Sequence, residues 1–513
     1  MIGGNPAQRL PMGKAAVAWC AWCAVVFGIF NLGLPHERLR TLERRMEAGA
    51  QVDAVEAIRA YFTNDGDERR YRAYCAAMLG LPYESYFVRP ADGWRRAFSR
   101  AETFQPDGWP EISPDHRLIP YRDFLVEYPP GFFLATLPAA LVTGHERAYC
   151  LLFQCLMALA ISAALVFAAR ALATDSNRAP SSWEMAAWGA VATLTLGVVA
   201  THRYDASVAL GLAITAWAIA TRRPLVLGAA MAASVALKGV PLLVIPVLVI
   251  HLVRERKFVE LGKALTAGTL VTLLLGLPAV WVAGDRLVEM IRYHVDRPLQ
   301  IESTGGALLG LLHAVAPSAA IVQKTFGSTN IISPLSRYVL ILSAAASVAS
   351  VVMVCAVTWV RLGGAKPNSR PRITIEGMAA VLALNMSVGK VFSPQYLVWL
   401  VPIGIAISLA TDRSRRLVLL LSGLALSQVI YPVTYSALEL LRPWACALVI
   451  TRNGVILLWA TTLLRPWAGS EREGQAASAG TPPPERRRAP PEDRRPHRYP
   501  PVSRTNEGPH STR

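Results

Sequence analysis

Charge is what this sequence has least of. Only 17% of its 513 residues are Asp, Glu, Lys or Arg, whereas soluble domains carry about a quarter. Hydrophobic residues make up 53%, and the mean hydropathy is +0.34. That balance excludes an ordinary soluble enzyme and indicates a polytopic membrane protein. A disulfide framework is also lacking. The seven cysteines are scattered, and Cys20, Cys23, Cys150, Cys155 and Cys355 fall in apolar runs as small apolar residues. Cys20-Ala21-Trp22-Cys23 has redox spacing, but no second pair and no neighbouring His. No clear internal repeat of the transporter kind is present. No nucleotide-binding fold is evident, and no cofactor or metal is expected.

What is present is a series of apolar runs. Residues 15–34 form the first, a retained transmembrane helix, because Arg9 and Lys14 precede it and no small-residue cleavage site follows. After a long polar insert the runs resume near 131–143, 149–173, 184–201, 204–221, 224–238, 240–254, 262–284, 337–360, 374–390, 395–410, 416–435 and 444–464. A span needs about 20 such residues, so the expectation is an all-α, polytopic transmembrane bundle of about 12 spans. A cytoplasmic N-terminus requires an even number of crossings, so one run falls short of a full span. The 131–143 run is the candidate and 184–201 the alternative.

The formal net charge is +17, and its distribution speaks to topology rather than to nucleic acid. Basic clusters at 222–223, 254–257, 361–372 and 413–416 fall on one face when the chain is threaded, and positive-inside bias makes that face cytoplasmic. The opposite face receives 203–205, Lys238, the 285–336 loop and Lys390 to Gln395. The expected organisation is a cytoplasmic N-terminus (1–14), the first span (15–34) and an extracytoplasmic loop with the catalytic region (35–130). A helix bundle (131–464) and a disordered, basic, Pro-rich cytoplasmic tail (465–513) follow, the tail lying against membrane lipids.

The insert carries the densest chemistry. Asp65, Asp67 and Glu68 are close enough to repel, which raises the proton affinity of one of them and suits it to act as a base. The structural alternative is a solvated helix cap. Asp65-Gly66-Asp67 has the letters of a metal-binding DxD or calcium loop, but the closing ligands do not follow. Lys238 interrupts a long apolar stretch directly before Gly239-Val240-Pro241. It is either a phosphate ligand or a lysine snorkelling from a helix end. Arg203 and Asp205 suit substrate contact or a structural ion pair. His294 and Arg297 sit about one helical turn apart, placed to face a phosphate together or to decorate a surface helix. Gln395 and Tyr396 after Pro394 can hydrogen-bond sugar hydroxyls or cap a span.

These motifs form an ordered set: Asp67, Tyr71, Gly80 and Tyr83; Glu127-Tyr128-Pro129-Pro130; His202-Arg203-Tyr204-Asp205; Lys238-Gly239-Val240-Pro241; and Lys390 through Pro402. In that order the chain resembles the family 87 glycosyltransferases, GT-C-type membrane enzymes typified by polyprenyl-phosphomannose-dependent mannosyltransferases of actinobacterial envelopes. The resemblance runs from about residue 60 to 460. It implies a catalytic carboxylate in the first external loop, best matched by Asp67, with Glu68 a rival and Asp123 a third candidate. The Glu-Arg-Arg after Asp67 departs from the apolar character that the resemblance leads one to expect. Tyr71, Asp123, Glu127, Tyr128, Arg203, Asp205, Lys238, His294, Arg297, Gln395 and Tyr396 would then bind substrate. The implied partners are a polyprenyl-phosphate sugar donor and a lipid or glycan acceptor. A transporter or flippase of lipid-linked sugars is the competing class, and it requires ionisable groups near mid-membrane.

Overall fold

A computed structural model describes residues 66–83, 117–173, 179–411 and 414–465. The expected first span, most of the polar insert, Asp65 and the basic tail lie outside them. The chain forms α1 (Gly66–Leu79), α2 (Phe132–Val142), α3 (Glu146–Leu172), α4 (Ser182–Leu196), α5 (Asp205–Ala220), α6 (Pro224–Leu237), α7 (Ile245–Arg254) and α8 (Phe258–Ala283). It continues through α9 (Leu287–Asp296), β1 (Leu299–Gln300), α10 (Thr304–Val315), β2 (Ile321–Thr325) and β3 (Ser328–Ile332). It ends in α11 (Ser336–Gly364), α12 (Arg370–Val388), α13 (Val401–Ala410), α14 (Ser414–Gln428), α15 (Tyr435–Glu439) and α16 (Pro443–Leu464).

Each apolar run from 131 onward contains an α-helix, because in hydrocarbon a helix satisfies its own backbone. Among the described residues six helical segments are long and apolar enough to cross a bilayer: 146–172, 182–200, 258–296, 336–364, 414–433 and 443–464. The chain is a membrane protein built as a helix bundle. The 285–336 segment is more ordered than the loop expected there. It holds α9, α10 and a small antiparallel sheet of order β1-β3-β2. Two- to five-residue strands with mixed burial leave no periodicity for a hydropathy scan to detect.

α12 runs through the interior, buried from Arg372 to Ser387, with α11 and α16 packed on it. α6 lies against α8 at a close crossing. A Cβ on Gly228 would come within 1.8 Å of the Ala264 carbonyl, so only glycine allows this approach. The other side of α8 presents Leu270, Leu274, Leu277 and Trp281 outward, as lipid-facing residues should be.

The short helices position the site. α5, α6 and α13 have 16, 14 and 10 residues, so at 1.5 Å per residue they fall short of the roughly 30 Å hydrocarbon layer. Three non-α breaks result, at 197–204, 238–244 and 389–400, each part-buried in the bundle where irregular backbone is tolerated.

The basic clusters from 254 onward meet at the other end. Glu376 accepts hydrogen bonds from Arg361 (2.5 Å) and Arg416 (2.8 Å), and Arg370 approaches Glu255 at 3.9 Å. A further buried pair joins α16 to the segment before α10. Arg452 donates to the Glu302 carboxylate and carbonyl, both at 2.8 Å, and its guanidinium lies 4.0 Å from the Phe392 ring centre. Removing one partner of such a pair strands the other charge, so Arg452→Met should cost about 3–5 kcal/mol. Thermal unfolding in detergent measures the loss, and Arg452→Met with Glu302→Gln should recover most of it.

Candidate active site

α1 begins with Asp67 and Glu68 in its first turn, where the helix dipole favours carboxylates. The two side chains then part. Glu68 is fully buried, accepts from Gln154 Nε2 of α3 at 3.1 Å, and lies 3.8 Å from His202 Nδ1. Asp67 stays at the surface of the site, its side chain 15% exposed, against the Arg203 guanidinium and 3.5 Å from Arg70. The neighbouring pairs 67–203 and 68–202 thus register α1 on the turn before α5.

The cations that follow Asp67 also have clear tasks. Arg69 pairs with Glu146 at 3.0 Å, Arg70 with Glu127 at 3.0 Å, and Arg72 donates to the carbonyls of Pro82 and Gly144. They fasten α1 to the segments around it, which is why this stretch is charged where apolar residues were expected. Glu127 also accepts from the Tyr74 hydroxyl at 2.7 Å, while its carbonyl accepts from His294 Nε2 at 2.9 Å. A carbonyl only accepts, so His294 carries its proton on Nε2 and leaves Nδ1 as an acceptor.

Arg203 and Asp205 do not pair with each other. Residues two apart at a helix start point to different sides. Arg203 turns to Asp67, and Asp205 turns inward, where its Oδ1 accepts from Lys238 Nζ (2.7 Å) and Trp399 Nε1 (2.8 Å). Lys238 is therefore neither a snorkelling lysine nor an isolated ammonium. It caps α6 in extended backbone, with its side chain 12% exposed. The rings of Tyr396, Tyr204 and Trp399 surround it at 4.9, 5.0 and 5.3 Å, which adds cation–π attraction. Asp205 Oδ2 and the Tyr204 hydroxyl are buried and make no hydrogen bond among the described residues.

Tyr71 and Tyr128 pack edge-on to Tyr204, at 5.6 and 5.2 Å between ring centres, and form an aromatic wall with Phe132. Tyr396 stacks on Trp399 at 4.7 Å, and Gln395 is half-buried beside it. His294 and Arg297 do not share a helix face. α9 ends at Asp296, and Arg297 takes extended backbone (ψ 127°) ahead of Pro298, as a residue before proline must. Asp123 belongs to a local turn instead. It accepts from the Ile119 amide at 2.7 Å, and its hydrogen bonds from Arg122 hold its carboxyl below the usual range.

Sequence reasoning passed over Arg70, Tyr74, Gln154, His202, Trp399 and Lys390 as site residues. Of these, Lys390 had a visible signal, a lysine at an apolar boundary. Its ammonium donates to the carbonyls of Val295 (2.9 Å) and Arg297 (3.0 Å), and burial pushes its pKa down to about 8. Among the described residues no group of three His, Cys, Asp or Glu side chains is placed to hold a metal ion.

No family model and no curated protein matches this chain. Among solved structures, ArnT from Cupriavidus metallidurans bound to undecaprenyl phosphate aligns with a TM-score of 0.41 and 15% identity, over 90% of this chain and 78% of that one.

Proposed function

We propose that this protein is a GT-C-type membrane glycosyltransferase. It transfers a sugar, mannose in the first instance, from a polyprenyl-phosphate donor to a lipid or glycan acceptor. The active site faces the extracytoplasmic side of the cell membrane, and the 35–130 insert contributes to it. The observation that carries this reading is one juxtaposition. The largely buried Asp67 meets Arg203 where short helices leave polar backbone inside the bundle, with Lys238 and Lys390 on the flanking breaks and His294 near the end of α9.

A polyprenyl-phosphate sugar carries its own leaving group, so the protein has two tasks. Asp67 takes the proton of the acceptor hydroxyl as the new bond to the sugar's anomeric carbon forms. The bond from that carbon to the phosphate oxygen breaks, and the polyprenyl phosphate departs with the electron pair. Cations steady that charge. Arg203 is suited to this, because turning from Asp67 to the phosphate also frees the carboxylate. Tyr128 and Tyr396 offer ring faces and hydroxyls to the sugar, with Gln395 beside Tyr396, while the fully buried Tyr71 supports Tyr128 from behind.

The test is transfer of radiolabelled sugar from polyprenyl-phosphomannose in membranes expressing the wild type or Asp67→Asn. Loss in the mutant at unchanged protein level supports both class and base. Retention moves the base to Glu68 or Asp123. Failure of every polyprenyl-phosphate sugar as donor would sink the enzyme reading and favour the flippase.

A second outcome concerns pH. With a pKa of about 8, the Lys390 ammonium is charged at neutral pH and loses its proton as pH rises through that value. The apparent KM for the donor should therefore climb between pH 7 and 9. Lys390→Arg, which stays charged throughout, should flatten the profile. A wild-type profile with no rise would remove Lys390 from phosphate binding.

A further inference from the structure

At the end of the bundle away from this site, two tight turns each put an arginine where glycine is the usual residue. Arg222, between α5 and α6, and Arg256, between α7 and α8, both have φ of +56°. The turns close alike. The amide of Arg223 donates to Ala218 O at 2.8 Å, and that of Lys257 donates to Leu252 O at 2.8 Å. A left-handed residue that ends a helix is normally glycine, because a Cβ crowds the backbone there. Both side chains are exposed, and neither makes a hydrogen bond or ion pair among the described residues. A strained position kept by a residue with no local bonding task points to a task outside the chain.

Their surroundings define that task. Arg254 lies 4.7 Å over the Trp359 ring and against Gly363, where a Cβ would come within 2.3 Å of its guanidinium. Arg223 lies 4.8 Å over Trp217. Tryptophans beneath guanidiniums at the ends of apolar helices mark the level of the lipid headgroups. Lys257 and Arg370 both reach Glu255, and Glu376 is already shared by Arg361 and Arg416. Glu255 and Glu376 are thus committed to other cations, and with Glu260 in the first turn of α8 the cations at this end still outnumber the acids, which leaves positive charge at the turn tips.

We propose that Arg222, Arg254 and Arg256, backed by Lys257 and Arg370, form a rim that docks the phosphate headgroups of anionic phospholipids. The proposal is independent of the glycosyltransferase reading, since none of these residues belongs to that site.

The experiment titrates the purified full-length chain in detergent with phosphatidylglycerol or phosphatidylcholine, read by native mass spectrometry. Phosphatidylglycerol should bind more tightly, and added salt should weaken it. In R222G/R256G its affinity should fall about 25-fold, at roughly fivefold per basic residue removed, with phosphatidylcholine unchanged. Glycine suits both turns, so the variant should unfold at the same temperature or higher. R222K/R256K should retain binding. Unchanged phosphatidylglycerol affinity in the glycine variant, or equal loss for both lipids, would overturn the proposal. So would displacement of bound lipid by inorganic phosphate at the lipid's own concentration.

Discussion

Asp67→Asn should lower the transfer rate about a hundredfold to ten-thousandfold, the range typical for losing a general base. Asparagine keeps the shape of the side chain and can still accept a hydrogen bond from Arg203, but it cannot take the acceptor's proton. The loss should therefore appear in kcat, with the donor KM little changed. Glu68→Gln provides the contrast. Glu68 is fully buried against Gln154 and close to His202, so no acceptor hydroxyl reaches it in this arrangement. Its substitution should cost stability, about 1–3 kcal/mol for a disturbed buried bond, and leave the rate within about tenfold. A Glu68 variant that folds normally yet loses transfer as completely as Asp67→Asn would reverse the assignment.

Lys238→Met should destabilise the protein by about 3–5 kcal/mol, because Asp205 would stay buried with its charge unmatched. Trp399 would be its remaining donor among the contacts described. Asp205→Asn combined with Lys238→Met removes both charges and should restore most of the stability, measured by thermal unfolding in detergent. The same double variant separates architecture from substrate binding. If Lys238 also contributes to donor phosphate binding, the refolded double variant should still show a donor KM raised at least about tenfold, or about 1.4 kcal/mol. Normal stability with normal transfer would leave the pair a purely structural element.

The predicted chemistry and the observed contacts differ in one consistent way. Arg203, Asp205 and Lys238 were each visible as unusual residues beside apolar sequence, but their partners were not. Arg203 looked suited to Asp205 and instead meets Asp67. Lys238 looked isolated, yet it lies in a cage of Asp205 and three aromatic rings. His294 and Arg297 looked like neighbours on one helix until Pro298 ended it.

The sequence by itself determined the membrane class, the positions of the helices from 131 onward outside the 285–336 segment, and the gathering of the basic clusters from 254 onward at one end. Hydropathy and helical period are local properties, legible in a window of about 20 residues. Tertiary structure decided which of two adjacent carboxylates stays partly exposed and which partner each acid takes. It also decided that Trp399, far along the chain, completes the shell of Asp205. Those outcomes depend on where short helices stop and which breaks face one another. A buried charge must then find whatever partner the packing brings within reach, because leaving it unpaired costs several kcal/mol.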